Sequence, residues 1–179
     1  MSENLSSQNS KVEKKLEEDF NEELSYLWSS VELNDHNYML LLWQAKTSEQ
    51  VGEIVSAIQS NAEAHGVRFV DCRVQVEPPS LMRGLGLAEE NLNKGDTNER
   101  VLPAVVVISG LEGLPREKQG RLTRESRDAI FVFNEQRDHI ATRIPEIIII
   151  VGTKKSLQDI RELASDTYSV RTSYLGLDE

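Results

Sequence analysis

The chain has 179 residues and a single cysteine, Cys72, so an intramolecular disulfide and a zinc site built on several thiolates are both excluded. No apolar run approaches the length of a membrane-spanning helix, and the opening MSENLSSQNSKVEKKLEEDF lacks the basic-then-apolar order of a secretory leader. The expectation is a cytoplasmic protein with no membrane contact. Basic residues are also short: 20 Lys and Arg stand against 30 Asp and Glu, a formal charge of −10 that repels nucleic-acid phosphates. The three histidines, His36, His65 and His139, have no HExxH or CxxC companion, so no metal site is expected. A G-x-S-x-G elbow and a dinucleotide fingerprint are absent too, since Gly84-Leu85-Gly86 lacks the third glycine and does not directly follow a strand.

What is present is an alternation of apolar strands with amphipathic segments. Residues 1–10 are polar and read as a mobile tail. From Lys11 the apolar positions Val12, Leu16, Phe20, Leu24, Leu27, Trp28 and Val31 recur at steps of three and four, the stripe of an amphipathic helix. Three unbroken apolar runs, Tyr38–Trp43, Pro103–Ser109 and Glu146–Val151, have the pattern of strands buried on both faces. Residues 67–76, VRFVDCRVQV, alternate enough for a strand with one exposed side or for a place at the sheet edge, and Cys72 within it is expected to be a buried, inert thiol.

The intervening segments read as helices and loops. Ser48 is placed as the cap of a helix that His65-Gly66 ends, residues 80–98 as a helical turn and then a mobile loop over 89–100, and 116–143 as a loosely helical, highly charged segment. A short helix over 156–164 and a last strand over 168–172 complete the order. The predicted fold is α/β: a three-layer, doubly wound, mostly parallel sheet of about five strands in one domain over 11–179, with an N-terminal amphipathic helix.

This order resembles that of P-loop NTPases, above all the AAA-like and STAND signalling ATPases. PAVVVISGLEG stands where their acidic metal-site strand would be, and EIIIIVGT where their sensor strand would be. FNEQRDHIATRIPEIIIIVG followed by LASDTYSVRT resembles the second half of NTPase-like domains in bacterial STAND and repeat-containing signalling proteins, which show an Asn-x-x-Arg-Asp helix and an Ala-x-Asp-x-Tyr/Trp-Ser-x-Arg segment. The resemblance covers roughly Leu24 to Thr172 and puts Asn134, Arg137, Asp138, Asp166, Tyr168 and Arg171 in those motifs.

The departure from that family lies in its chemistry. A phosphate-binding loop is G-x-x-x-x-G-K-[ST], whose glycines let backbone N–H groups surround the phosphates. After the first strand this chain has Gln44-Ala45-Lys46-Thr47, with no glycine before Gly52. The acidic strand supplies only Ser109 and Glu112, and Thr153 after the sensor strand reads as the cap of the next helix.

Two functional readings follow. The first is a non-catalytic, P-loop-NTPase-like adaptor or regulatory subunit without a cofactor, acting in a hetero-complex or homo-oligomer, with bacterial defence or stress signalling as the setting the resemblance implies. Its partner surfaces would be Leu24, Leu27 and Trp28 on the first helix, and the arginines Arg116, Arg121, Arg124, Arg127 and Arg137, the first four of which recur at helical spacing. In this reading Asn134, Arg137 and Asp138 share a helix face, where Arg137 fixes the helix by bonding Asp166 or a strand end, or meets a partner. The second reading is a divergent switch that binds ATP or GTP with Mg²⁺ through Lys46, Thr47, Glu112 and Thr153.

Overall fold

Four consecutive isoleucines give β6 (Ile147–Thr153) its place: every residue from Ile147 to Gly152 is buried, so the strand needs neighbours on both edges and cover on both faces. In the computed structural model, which describes residues 3–33, 37–93, 104–144 and 146–176, it has them. β6 lies between β5 (Ala104–Ser109) and β1 (Met39–Ala45), parallel to both, with Ile148 opposite Leu40 on one side and Val106 on the other. The remaining strands are β2 (Arg68–Arg73) and β7 (Ser173–Leu175), which complete a five-stranded parallel sheet in the order β2-β5-β6-β1-β7. Of the two places read for residues 67–76, the sheet edge is the one that Arg68–Arg73 takes, with its face half-buried, while Gln75–Val76 leaves for a separate pairing. Past it, β3 (Gln75–Val76) and β4 (Pro79–Ser80) form a small hairpin.

Period-two alternation divides the sheet's two faces. Leu40, Leu42, Val106, Ile108, Ile148 and Ile150 point into one core, which also holds Leu85 of α3 (Met82–Asn93), Ile130 and Phe133 of α4 (Arg124–Glu135), Ile140 of α5 (Arg137–Arg143) and Leu157 and Ile160 of α6 (Lys154–Leu163). The opposite face is also buried, and α2 (Ser48–Ala64) lies across it with Ile54 and Ile58 buried. This is a three-layer α/β fold. A short α7 (Ser165–Ser169) precedes β7.

The chain divides into two units, Met1–Leu33 and Asn34–Glu179. The first is α1 (Glu3–Leu33), whose helix begins inside the segment read as a tail. The sheet and all other helices make up the second.

Several elements differ from expectation. Segment 116–143 is a loop followed by two helices, because the backbone turns through Gly120 at φ 73° and α4 starts only after Thr123 caps it, Oγ1 accepting the Ser126 N–H at 3.3 Å. Residues 89–93 belong to α3, while 94–100 of the expected loop lie outside the described residues. The last strand is Ser173–Leu175. The segment read as that strand begins in α7, where the Asn134 side chain accepts the Thr167 N–H at 2.9 Å and so caps the helix start.

Candidate functional site

The winding of the sheet locates the site. From β1 the chain runs by α2 to the far edge, and from adjacent β6 it runs by α6 and α7 past β1 to β7. Neighbouring strands whose chains leave in opposite directions open a crevice at their carboxyl ends, where open α/β sheets hold ligands. Register sets Gln44 opposite Gly152 and Ala45 opposite Thr153 at that crevice.

Lys46, Thr47, Glu112 and Thr153 all come from strand ends bordering this point, and their polar groups serve the local fold. The connection from β1 to α2 is the pair Lys46-Thr47. Thr47 is the cap of α2, displacing Ser48 from that role: its Oγ1 accepts the Gln50 N–H at 3.2 Å while Gln50 Oε1 accepts the Lys46 N–H at 2.6 Å, a near relative of the capping box that T-S-E-Q already spells. Glu112, on the 3-10 turn Leu111–Gly113 after β5, accepts the Thr153 N–H at 2.8 Å through Oε1. Thr153 caps α6, as its position after the glycine implies, its Oγ1 accepting the Ser156 N–H at 3.4 Å. Gly152 keeps Glu112 close, since a methyl there would stand 3.3 Å from Oε1 and from Ser156 Cβ.

Beside Gln44 the crevice continues into a cavity of about 670 Å³ between the ends of β1 and β7, α6 and α7. Lys154 and Arg161 stand two turns apart on α6, so both side chains reach the same mouth. Opposite them the Arg171 guanidinium lies 4.0 Å from the Tyr168 ring centre and donates to the Tyr168 carbonyl at 2.7 Å. Arg161 sits 5.8 Å from the same ring. Tyr174 meets Tyr168 edge-to-face at 6.5 Å and donates its hydroxyl hydrogen to Gln44 Oε1 at 3.2 Å. Burial pushes the Tyr174 hydroxyl pKa above its ordinary value, with a smaller contribution from Tyr168. Sequence reasoning singled out Tyr168 and Arg171 as motif residues but missed Gln44, Lys154, Arg161 and Tyr174. The i, i+7 spacing of Lys154 and Arg161 on an amphipathic helix was the available signal.

The other motif residues assemble around α7. Asn134 Oδ1 accepts from both the N–H and the hydroxyl of Thr167, its Nδ2 donates to Asp166 at 3.4 Å, and Arg137 lies 3.7 Å from Asp166 and 3.1 Å from Asp138.

The arginine series does not form one helical stripe. Arg116 precedes Gly120 in the loop, where it pairs with buried Asp159 at 2.7 Å and donates to the Gly120 carbonyl. Arg121 is exposed in the same loop, and Arg137 is half-buried on α5. Only Arg124 and Arg127 share α4, both exposed, around a shallow cavity of about 350 Å³ that Phe131 and Leu163 also line. Leu24, Leu27 and Trp28 lie along one stripe of α1.

No protein-family model matches the chain, and no curated protein does. Among solved structures it is similar to the Aeropyrum pernix ORC2 protein, a structure of ADPNP-ADP complexes, with a TM-score of 0.40 and 14% identity over 92% of this chain and 47% of that one. The chain thus spans about half the length of that protein. No helix among the described residues is long and apolar enough to cross a membrane, and no group of three or more His, Cys, Asp or Glu among them could hold a metal ion.

Proposed function

We propose that this chain is a P-loop-NTPase-like adaptor that does not hydrolyse nucleotide and works by engaging another protein. The observation that carries the reading is on α4, where Phe131 is 52% exposed and Arg124 and Arg127 flank it beside the cavity. Exposed aromatics with arginines are the residues that dominate protein–protein affinity, and they serve as anchors when the rest of a surface is polar. The surrounding charge of −10 favours a partner with a basic rim over nucleic acid. The two-residue connection after β1, tied by Gln50 at Lys46 and Thr47, supports the absence of hydrolysis, because a triphosphate cradle needs a longer, glycine-containing loop there.

The test is co-purification of the full chain from its native host, with Phe131→Asp and Arg124→Glu as variants. A stoichiometric partner held by the wild type and lost in both variants, each melting within about 2 °C of the wild type as surface changes should, supports the reading. Partner retention in both, or magnesium-dependent release of phosphate from ATP or GTP, overturns it.

The divergent ATP or GTP switch is a second reading, favoured by the placement of Lys46, Thr47, Glu112 and Thr153 around the β1–β6 crevice. It requires Mg²⁺-nucleotide to displace the capping bonds just described.

A further inference from the structure

The cavity beside Gln44 gathers positive charge on a strongly acidic chain. Lys154, Arg161 and Arg171 line it against a single carboxylate, Glu162, whose Oε1 is held by Gln158 Nε2 at 2.8 Å. Three cations and one anion leave a formal surplus of two positive charges. None of the three cations is in an ion pair among the described residues, whereas Arg116, Arg137 and Arg143 each have a carboxylate. Like charges repel, and three gathered at one mouth raise the energy of the free protein unless an anion neutralises them. The Arg171 guanidinium is held flat by the Tyr168 ring and carbonyl, so part of the ordering cost of a fork-shaped contact is met before binding.

The volume, about 670 Å³, falls in the range of small-molecule sites and far exceeds one phosphate group. Beyond the cations the wall is buried Leu157 with the half-buried rings of Tyr168 and Tyr174, a surface that accepts a flat ring edge-on or stacked.

We propose that this cavity binds a phosphate monoester carried on a flat ring. Such a group bears close to two negative charges at neutral pH and three acceptor oxygens, matching the surplus of two and the guanidinium forks. Lys154 and Arg161 hold the phosphate at the mouth, Arg171 closes on it from the β7 side, and the tyrosines flank the ring. The carrier is either a phosphotyrosine side chain of another protein or a small aromatic monophosphate. The cavity is separate from the Phe131 patch, so the two proposals fail independently.

The test is calorimetric titration of the full chain with phenyl phosphate, inorganic phosphate and benzyl alcohol, repeated on Lys154→Gln/Arg161→Gln. The expected result is binding of phenyl phosphate at least tenfold tighter than inorganic phosphate, no binding of benzyl alcohol, and at least tenfold weakening in the double variant with its melting temperature unchanged. Arg161→Lys should restore part of the loss, because it keeps the charge but not the fork. Titration with a phosphotyrosine peptide and with AMP then identifies the carrier by the tighter of the two. No binding of phenyl phosphate, equal binding of inorganic phosphate, or unchanged affinity in the double variant would each overturn the proposal. Phe131→Asp should leave phenyl phosphate affinity where it was, which separates this result from the fate of the partner surface.

Discussion

Cys72 donates its thiol hydrogen to the Gly84 carbonyl at 3.4 Å, where α3 approaches β2 so closely that a methyl on Gly84 would crowd the Cys72 backbone. Burial pushes the thiol pKa to about 12 from an ordinary 9.0, and the neighbouring charge of Asp71 adds to the shift. Tyr38 is likewise raised to about 12 by burial. Both groups keep their protons in the folded chain at pH values where the unfolded chain has released them. Stability is therefore full below about pH 9 and falls as pH rises toward 12, by an amount on the order of a few kcal/mol. Denaturant melts between pH 8 and 11 should show that fall, and Cys72→Ala should lessen its slope; a flat profile would contradict the burial. Asp159 makes a second residue-scale case. Its carboxylate is 9% exposed and takes Arg116 at 2.7 Å and Lys155 at 3.1 Å. Asp159→Ala leaves the Arg116 guanidinium with the Gly120 carbonyl but without its carboxylate, and should cost about 3 kcal/mol in urea denaturation.

At the scale of elements, the central strands were legible because each is an apolar run too continuous for any place but a doubly covered sheet. Edge strand β2 was legible from its alternation. Helix ends were legible where a side chain spells the cap, as with Thr153, and misassigned by one residue at Thr47, because Ser48 is an equally good capping residue and only the bond to Gln50 decides between them. The segment after α6 was misread for a physical reason. Val170 and Thr172 have strand propensity, yet Asn134, more than thirty positions away, supplies the cap that turns Ser165–Ser169 into helix, and a local pattern carries no trace of it. The cavity was hidden for the same reason, since Gln44 and Tyr174 meet only through the pairing of β1 with β7. That pairing depends on Gly176, whose φ of 75° and closeness to the Gln44 carbonyl leave no room for a methyl. Gly176→Ala should lower the melting temperature markedly and weaken phenyl phosphate binding with it, whereas Thr153→Ala should cost only about 1 kcal/mol, the ordinary value of a lost cap.

For the whole molecule, the order β2-β5-β6-β1-β7 makes the first strand of the sheet wait for the last ones. Among the described strands β1 pairs with β6 and β7 alone, so its Leu40, Leu41 and Leu42 gain strand neighbours only after most of the chain is in place. The same order sets what each end of β1 can do. Its carboxyl end must turn at once into α2, because Gln50 binds back to Lys46 and Thr47 and leaves two residues between strand and helix. A triphosphate entering there would have to break the bonds at both Lys46 and Thr47 and take the Thr153 N–H away from Glu112, exchanging internal partners for ligand at little net gain. Mg²⁺-ATP and Mg²⁺-GTP at millimolar concentration should then leave the melting temperature within about 1 °C of the free chain, while phenyl phosphate raises it, because a ligand held at a hundred times its dissociation constant adds about 2.7 kcal/mol. A nucleotide shift that Lys46→Ala abolishes and Lys154→Gln/Arg161→Gln preserves would place the ligand at the β1–α2 turn and favour the switch over the adaptor. A shift abolished only by the double variant would instead show that the cavity accepts nucleotide phosphate, with the turn after β1 still closed.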